Sequence, residues 1–384
     1  MEYISQFKEN TTLILLGAGN SSRFCADRKL PKKQWLRCGK DPLWLKVLQK
    51  FLSFGFDKIL LTASPKECLY MQNYTSHPIL AGGETRTHSI LNALKEVKTP
   101  YVLISDIARF NPQIEVIKSL FEAMSKDRSL SCVAPYLPAV DTTFSSSAGF
   151  LDRQELKLIQ TPQLSKTSSL LKALSNGEFS DESSAIASLG EKVAYTLGSI
   201  QMGKLTYDYE LKTLPLTPPE NTSFIGQGLD IHAFMPNKPM LLGGVHIPCD
   251  YGFKAHSDGD VLLHSLTDAI LGAIGAGDIG EWFPDTSAEY KNADSKLLLK
   301  EVLDFSISVG YDIVNVDLTI LAQKPKISPY KSQIKQSLSS LLSLPPHLIN
   351  IKATTGEEMG FVGRGEGVCV MSCVNMKFLD WSKK

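Results

Sequence analysis

Apolar residues in the first half of the chain occur in short runs separated by segments of helical periodicity. The runs TLILLGAG, DKILLTAS, YVLISD and LSCVAPYL have the pattern of buried strands, and TRTHSILNALKEV has that of an amphipathic helix. Strands that alternate with helices are typical of a mostly parallel sheet with crossover helices. We therefore expect an α/β domain of Rossmann-like type.

The second half follows a different order, in which a strand, a loop and a long helix precede further strands. GYDIVNVDLTILAQ, NIKATT and GVCVMSCVNM predict strands, and a helix is expected near 330–343. This order predicts a compact α+β domain. Between the halves, TLPLTPPENTS holds three prolines and three threonines without apolar periodicity, as in an extended linker. The expected division is 1–213, a linker at 214–223, and 224–384.

Composition narrows the classes of protein. At 384 residues the chain exceeds one ordinary core, which agrees with two domains. Forty basic residues balance forty acidic ones, and this disfavours a nucleic-acid binder that relies on phosphate contacts. No apolar run suits a membrane span, and the segment MEYISQFKEN lacks a signal-peptide core.

Seven scattered cysteines predict reduced thiols of a cytoplasmic protein. Cys369 and Cys373 are four residues apart in a predicted strand and share one face. No second Cys or His pair lies nearby in the sequence, so core filling is favoured over metal binding.

The segment GAGNSSRF follows the first predicted strand and suits phosphate binding. Gly17, Ala18 and Gly19 would let backbone N–H groups approach a phosphate chain, and Arg23 adds a charge-assisted contact. The segment matches neither the dinucleotide fingerprint nor the Walker motif, and a glycine turn after a strand is common. The loop alone therefore leaves phosphate binding and a plain turn both open.

Two further segments favour phosphate binding. LPKKQW brings Lys33 close downstream, and YVLISDIARF places Asp106 and Arg109 at the end of a strand, where open α/β sheets bind ligands. A carboxylate there suits Mg²⁺ that bridges nucleotide phosphates. The alternative is a solvated basic loop beside a strand-ending aspartate.

With GGETRTHSI, VDT, DR, TPQ, SDESSA and GK, these segments resemble the 2-C-methyl-D-erythritol 4-phosphate cytidylyltransferases. The resemblance implies transfer of CMP from CTP to methylerythritol 4-phosphate, with release of pyrophosphate and with Mg²⁺ or Mn²⁺ at the nucleotide phosphates. It implies catalytic cations at Arg23, Lys33, Lys204 and Arg153; nucleotide contacts at Gly17, Ala18, Gly19, Arg86, Ser89 and Asp106; and substrate contacts at Arg109, Thr142 and Ser180.

Histidines and acids in the second half have the spacing of a metal site. Asp230 and His232 are two apart on a predicted strand and point to one face. His264 lies on a helix expected to begin near Ser257–Asp258. One Asp and two His that converge from a strand and a helix leave a fourth position open, as in catalytic Zn²⁺ sites.

Plainer roles remain open for the neighbouring polar residues. A lone His on such a helix is often a hydrogen-bonded core residue, and His246 is expected to be structural. Asp258 is expected mainly to cap the helix. Asp260 and Asp268 share the helical face of His264 and are expected to orient its ring rather than to bind metal.

The second half also contains GLDIHAF, LLGGVHIP, AHSDGDVLLHSLTDAILGA, GDIGEWFPDT, NVDLTILAQKPK, IKATTGEEMGF and GRGEG, and with these it resembles 2-C-methyl-D-erythritol 2,4-cyclodiphosphate synthases. The resemblance implies that the substrate's 2-phosphate attacks its β-phosphate and that CMP departs. It implies metal ligands at Asp230, His232 and His264; substrate contacts at His256, Ser257, Asp278, Gly280, Asp285, Phe361 and Arg364; and nucleotide contacts at Ala322, Lys326, Thr354, Thr355 and Glu357, the last holding a second Mg²⁺ or Mn²⁺.

Together the resemblances imply an enzyme for two non-consecutive steps of isoprenoid precursor synthesis, with a kinase on another chain acting between them. Its partners would be small-molecule substrates and, by association, that kinase. Trimeric assembly through the second domain, with sites between subunits, is also implied. One alternative is a nucleotide-sugar pyrophosphorylase fused to a zinc hydrolase, disfavoured by the lack of an HExxH segment. Another is a regulatory nucleotide-binding module, which would have no need of Lys33 and Lys204.

Overall fold

The computed structural model describes residues 7–25, 30–212, 214–284, 286–287, 290 and 292–383. Asp285, one of the predicted substrate contacts, lies outside the described residues. The chain divides into two compact units, whose main boundary lies between Thr217 and Pro218. Within the described part, no helix combines the length and the hydropathy needed to span a bilayer.

The first unit contains a mostly parallel sheet and flanking helices. Its strands are β1 (Thr11–Leu16), β2 (Arg37–Cys38), β3 (Asp41–Pro42), β4 (Ile59–Ala63), β5 (Ile79–Ala81), β6 (Tyr101–Asp106), β7 (Cys132–Pro138), β8 (Thr143–Ser145), β9 (Gly149–Leu151), β10 (Lys157–Ile159), β11 (Gln163–Lys166) and β12 (Val193–Leu197). Its helices are α1 (Leu43–Ser53), α2 (Pro65–Gln72), α3 (Arg86–Leu94), α4 (Ile114–Lys126), α5 (Thr167–Leu174) and α6 (Glu182–Ser188).

The main sheet has the order β10-β7-β11-β6-β1-β4-β5, and β12 pairs with β7. Strand β1 runs parallel to both β4 and β6, while β11 is antiparallel to its neighbours β6 and β7. Leu13, Ile14 and Leu15 are all fully buried, so both faces of β1 are covered, as expected for a parallel sheet between helices. This confirms the predicted α/β class.

The second unit contains β13 (Ser223–Pro236), β14 (Met240–Leu242), β15 (Val245–Ile247), β16 (Tyr251–Phe253), β17 (Tyr311–Leu321), β18 (Ile349–Thr354) and β19 (Gly367–Phe378). Its helices are α7 (Val261–Ile274), α8 (Ile279–Trp282), α9 (Ser295–Ser308), α10 (Lys331–Leu342) and α11 (Gly360–Gly363). The larger sheet has the order β16-β13-β19-β17-β18, in which only the β17–β18 pair is parallel among the described strands. This arrangement is the expected α+β type.

One face of this sheet is covered by helix and the other is not. On β19, Val370, Ser372 and Val374 are buried, whereas Met371 between them is half exposed. Cys369 and Cys373 share the face of Met371, where Cys369 is buried and Cys373 is partly exposed. Their predicted common face is confirmed.

Helix α7 lies against β13 at backbone contact distance because of two glycines in the strand. A Cβ atom at Gly226 would lie 1.9 Å from the carbonyl oxygen of Ala269, and one at Gly228 would lie 1.9 Å from that of Ser265. The Ser265 hydroxyl donates to the Gly228 carbonyl oxygen at 3.1 Å. Only glycine at these strand positions permits so close an approach.

We expect Gly228→Ala to destabilise the second unit by about 1–3 kcal/mol, because the added methyl group meets helix backbone that cannot rotate away. Urea unfolding followed by circular dichroism measures the change. Gly272→Ala is the matched control, since its Cβ would be 3.8 Å from its nearest neighbour, the Gln227 carbonyl oxygen. Equal stability of the two variants would contradict the close approach.

Candidate functional sites

A cleft opens where neighbouring strands of the first unit end. Leu16 and Asp106 are register partners at the carboxyl ends of β1 and β6. The cleft has a volume of about 550 Å³. Nine of the predicted residues line it: Gly17, Ala18, Gly19, Arg23, Lys33, Arg86, Ser89, Asp106 and Lys204.

Opposite charges form a connected row in this cleft. One oxygen of Asp106 lies 3.4 Å from Arg86 Nη2, and the other lies 2.6 Å from Lys204 Nζ. Arg86 Nη1 in turn donates to Glu182 at 2.7 Å. Burial opposes ionisation of Asp106, but the charges of Arg86 and Lys204 outweigh it and lower the pKa of the carboxyl to about 2.

The cations of the cleft repel one another. Burial is the main reason that the pKa of Lys33 is lowered, and the charges of Lys204 and Arg23 lower it further. Bound phosphate groups would relieve this repulsion. The arrangement therefore suits a polyanionic ligand.

The segment GGETRTHSI faces the glycine loop. Thr85 caps α3 by accepting the His88 N–H at 3.2 Å. The Ser89 hydroxyl donates to the Thr85 carbonyl oxygen at 2.9 Å and accepts the Gly83 N–H at 3.1 Å. A Cβ atom at Gly82 would lie 2.3 Å from that of Ala18, so glycine allows the two loops to touch.

Four predicted residues are not among the described residues that line this cleft. Arg109 donates to the carbonyl oxygens of Met202 at 2.7 Å and Ile159 at 3.4 Å. Thr142, Arg153 and Ser180 are exposed, and Arg153 donates to the Val140 carbonyl oxygen at 2.9 Å. Their predicted contacts with substrate stay predictions.

In the second unit, three predicted metal ligands converge. Asp230 and His232 lie on β13, and His264 lies on the first turns of α7. The Oδ2 atom of Asp230 is 3.1 Å from His232 Nε2 and 3.3 Å from His264 Nδ1. One ligand atom from each side chain lies within 4.8 Å of the others.

In each histidine, the ring nitrogen that points away from Asp230 has a hydrogen-bond partner. His232 Nδ1 is 3.1 Å from the Gly259 carbonyl oxygen, which makes this nitrogen the donor and leaves Nε2 bare. His264 Nε2 lies 2.9 Å from Ser295 Oγ and 3.2 Å from Ser257 Oγ. Asp230 Oδ2 is buried and has no hydrogen-bond partner within the described structure. The three donors thus fit one divalent ion.

Charge supports the same conclusion. Burial opposes ionisation of Asp230, yet the two histidines outweigh it and keep the pKa of this carboxyl below its usual range. Burial also lowers the pKa of His232, but Asp230 reverses this and the net shift is upward. A carboxylate held ionised between two imidazoles is a suitable anionic ligand for a divalent cation.

Ser295 connects His264 to Asp258. The Ser295 hydroxyl donates to Asp258 Oδ1, and its N–H donates to Asp258 Oδ2 at 3.2 Å. Because the hydroxyl proton is engaged, Ser295 Oγ can only accept from His264 Nε2–H. Nδ1 of His264 is therefore left without a proton on the side that faces Asp230.

The predicted roles of the aspartates on this segment are wrong. Asp260, not Asp258, caps α7 by accepting the Leu263 N–H at 3.1 Å. The buried Asp260 carboxylate also accepts the N–H groups of Gly243 at 2.9 Å and Gly244 at 2.6 Å. Asp268 accepts the Ile279 N–H at 2.8 Å and so fixes the start of α8. Both carboxylates hold backbone, whereas Ser295, Ser257 and the Gly259 carbonyl orient the histidines.

The three ligands line a cleft of about 300 Å³, with His256, Ser257 and Gly280 among the other predicted residues there. Asp278 caps α8 by accepting the Glu281 N–H at 2.9 Å. Lys254 also lines the cleft. Sequence reasoning missed this lysine, although its position two residues before His256 was a usable signal.

The predicted nucleotide and phosphate-loop residues of the second unit lie elsewhere on the same chain. Ala322 and Thr354 are joined at the adjacent carboxyl ends of β17 and β18, where the Ala322 N–H donates to the Thr354 carbonyl oxygen at 3.0 Å. Thr355 donates to Glu357 at 2.6 Å. None of this group is among the described residues that line the metal cleft: Ala322, Lys326, Thr354, Thr355, Glu357, Phe361 and Arg364.

Comparisons with known proteins show the family to which both units belong. Residues 11–214 match the family model for 2-C-methyl-D-erythritol 4-phosphate cytidylyltransferase, and residues 223–377 match that for the YgbB family. The bifunctional enzyme IspD/IspF of Nitratiruptor sp. is 51% identical over 97% of this chain and 99% of its own length. The enzyme of the same name from Aliarcobacter butzleri is 51% identical over 98% of this chain and 100% of its own.

A solved structure of the bifunctional IspDF from Campylobacter jejuni matches at a TM-score of 0.86 and 44% identity, covering 97% of this chain and 100% of that one. The likeness spans both units and therefore both clefts. The chain belongs to the bifunctional IspD/IspF family of the methylerythritol phosphate pathway, whose members combine a 2-C-methyl-D-erythritol 4-phosphate cytidylyltransferase with a 2,4-cyclodiphosphate synthase.

Proposed function

We propose that Arg23, Lys33 and Lys204 carry the cytidylyl transfer by neutralising charge on the phosphoryl oxygens as methylerythritol 4-phosphate attacks CTP. The observation that carries this proposal is their convergence on one cleft beside Asp106. The transition state spreads negative charge over several oxygens and needs no covalent nucleophile, so fixed cations suffice.

Arg86 and Ser89 would bind the nucleotide, and Asp106 would hold Mg²⁺ or Mn²⁺ at its phosphates. The two oxygens of Asp106 are paired with Arg86 and Lys204. With nucleotide bound, Lys204 would pair with a phosphate group, and the carboxylate of Asp106 would then be available to hold the metal. Thr142, Arg153, Ser180 and Arg109 stay predicted contacts for the methylerythritol group.

In the second unit, Asp230, His232 and His264 would hold Zn²⁺, because two imidazoles and one carboxylate are the donor set of catalytic zinc sites. A divalent ion there would supply Lewis-acid chemistry to the diphosphate that releases CMP. His256 and Ser257 would hold the phosphate groups in line for cyclisation. Glu357 would hold a second Mg²⁺ or Mn²⁺.

We also propose a trimer built through the second unit, in which the residues that bind cytidine come from a neighbouring chain. Two observations support it. The uncovered sheet face exposes Ile225, Leu229, Ile231 and Met371, and a contiguous apolar patch of this kind is typical of an interface. The cytidine and phosphate-loop residues also lie outside the metal cleft of their own chain, as far as the described residues go.

The domain boundaries, a cytoplasmic location and association with the intervening kinase stay predictions. The free cysteines agree with a reducing compartment.

Removing the hydroxyl of Ser295 should weaken zinc binding about 10- to 100-fold, because His264 Nε2 loses the nearer of its two serine partners and keeps only Ser257 Oγ at 3.2 Å. Competition with a chelator on the apoprotein measures the Kd, and the Co²⁺ absorption spectrum reports the ligand geometry. Ser308→Ala, at the far end of the same helix, is the control. An unchanged Kd in Ser295→Ala would exclude this role.

The two activities should separate by mutation. His264→Ala should reduce CMP release from the cyclase substrate to background and leave pyrophosphate release from CTP unchanged, because it removes one of three metal donors. Lys204→Ala should do the reverse and slow pyrophosphate release about 100-fold or more. Coupled assays of both products on each variant test this. Loss of both activities in either variant would count against separate sites.

Mixing two inactive variants should restore cyclisation if neighbouring chains share a site. One variant carries His264→Ala and the other Lys326→Ala. In a mixed assembly, intact metal ligands of one chain can therefore meet intact cytidine-binding residues of its neighbour. Random mixing in a trimer would restore about a quarter of the sites. Mixed assemblies isolated on two different affinity tags that remain inactive would refute the shared site.

A further inference from the structure

Lys33 lies in a short 3₁₀ turn, Lys33–Trp35, whose other residues contact one buried carboxylate. Trp35 Nε1 donates to Glu67 Oε2 at 2.8 Å, and Gln34 Nε2 reaches the same oxygen at 3.3 Å. Lys32 forms an ion pair with the other oxygen, Glu67 Oε1. The Glu67 side chain is 1% exposed. Thus Glu67 holds residues on both sides of Lys33, while Lys33 itself lines the cleft.

The same network reaches the glycine loop. Gln34 Nε2 also donates to the Gly19 carbonyl oxygen at 3.2 Å, and Ser21 Oγ donates to Gln34 Oε1 at 3.3 Å. The Lys33 N–H donates to Ser21 Oγ at 3.1 Å. Glu67 on α2 therefore fixes the turn that carries Lys33 against the loop predicted to bind phosphate.

A 3₁₀ turn of this length cannot hold its own geometry. Its capping residue makes no side-chain cap hydrogen bond, and the turn has few internal hydrogen bonds to resist fraying. A lysine has four rotatable bonds, and an ammonium misplaced by about 1 Å can cost about 100-fold in rate. The position of Lys33 must therefore be set from outside the turn.

We propose that Glu67 is a positioning residue for cytidylyl transfer, which sets the place of the Lys33 ammonium without touching substrate. This inference rests on the proposed role of Lys33. Neither the motifs of the glycine loop nor those of KKQW indicate Glu67, because it lies on a separate helix and meets them only through the fold.

Glu67→Gln is the test, since it keeps the shape and removes the charge. Whichever way the amide is turned, its NH₂ group faces a donor, either the Lys32 ammonium or the Trp35 N–H. We expect kcat for pyrophosphate release to fall about 10- to 100-fold with little change in the KM for CTP, because a displaced Lys33 ammonium stabilises the transition state less well.

A double-mutant cycle with Lys33→Ala separates positioning from damage to the fold. If Glu67 acts through Lys33, Glu67→Gln adds little to the loss already caused by Lys33→Ala. The same loss in both backgrounds, or an unchanged kcat in Glu67→Gln alone, would overturn the inference. Full activity of Lys33→Ala alone would instead refute the proposed role of Lys33.

Two controls accompany the cycle. Glu96→Gln removes an equal charge from an exposed position of the same unit and should leave kcat unchanged. Cyclisation by the second unit of the same chain should be equal in all variants, which fixes the enzyme concentration. A cyclisation rate that falls together with pyrophosphate release would assign the Glu67→Gln effect to loss of the protein and overturn the inference.

Discussion

The approach of helix α7 to strand β13 is the constraint on which the metal centre depends. Two ligands belong to the strand and one to the helix, so the distance between the two backbones sets the size of the cage. Gly226 and Gly228 make that distance small, and Asp260 fixes where the helix begins. Residues that bind no ion thus set the positions of the three metal ligands.

In the first unit, ion pairs rather than close packing position the side chains of the cleft. Asp106 lies between Arg86 and Lys204, and Arg86 lies between Asp106 and the buried Glu182. Arg86 is therefore paired with two carboxylates and Lys204 with one. The cleft can remain open and polar while Arg86, which is paired with two carboxylates, keeps a fixed position, and Lys204 stays beside Asp106 until a phosphate group binds.

The sequence predicted the elements well where periodicity was strong, as in β1, β6 and the helix expected near 330–343, found at Lys331–Leu342. It also predicted the convergence of Asp230, His232 and His264, because strand and helix spacing place side chains on known faces. It wrongly predicted Asp258 rather than Asp260 as the helix cap. Both have the same local chemistry, and the choice depends on backbone N–H groups from a distant hairpin. Ser295 was missed for the same reason, since its partner His264 lies on another helix.

The uncovered apolar face of the β13–β19 sheet has a consequence for how one polypeptide delivers its two activities. The residues that line the cytidylyl-transfer cleft belong to one chain, whereas the trimer proposed above would make cyclisation depend on several chains. Dilution would then affect the second activity and spare the first. One polypeptide supplies both activities in equal amount, but this would not ensure equal turnover. The concentration of the chain would set the ratio between the rates of an early and a later step of the pathway.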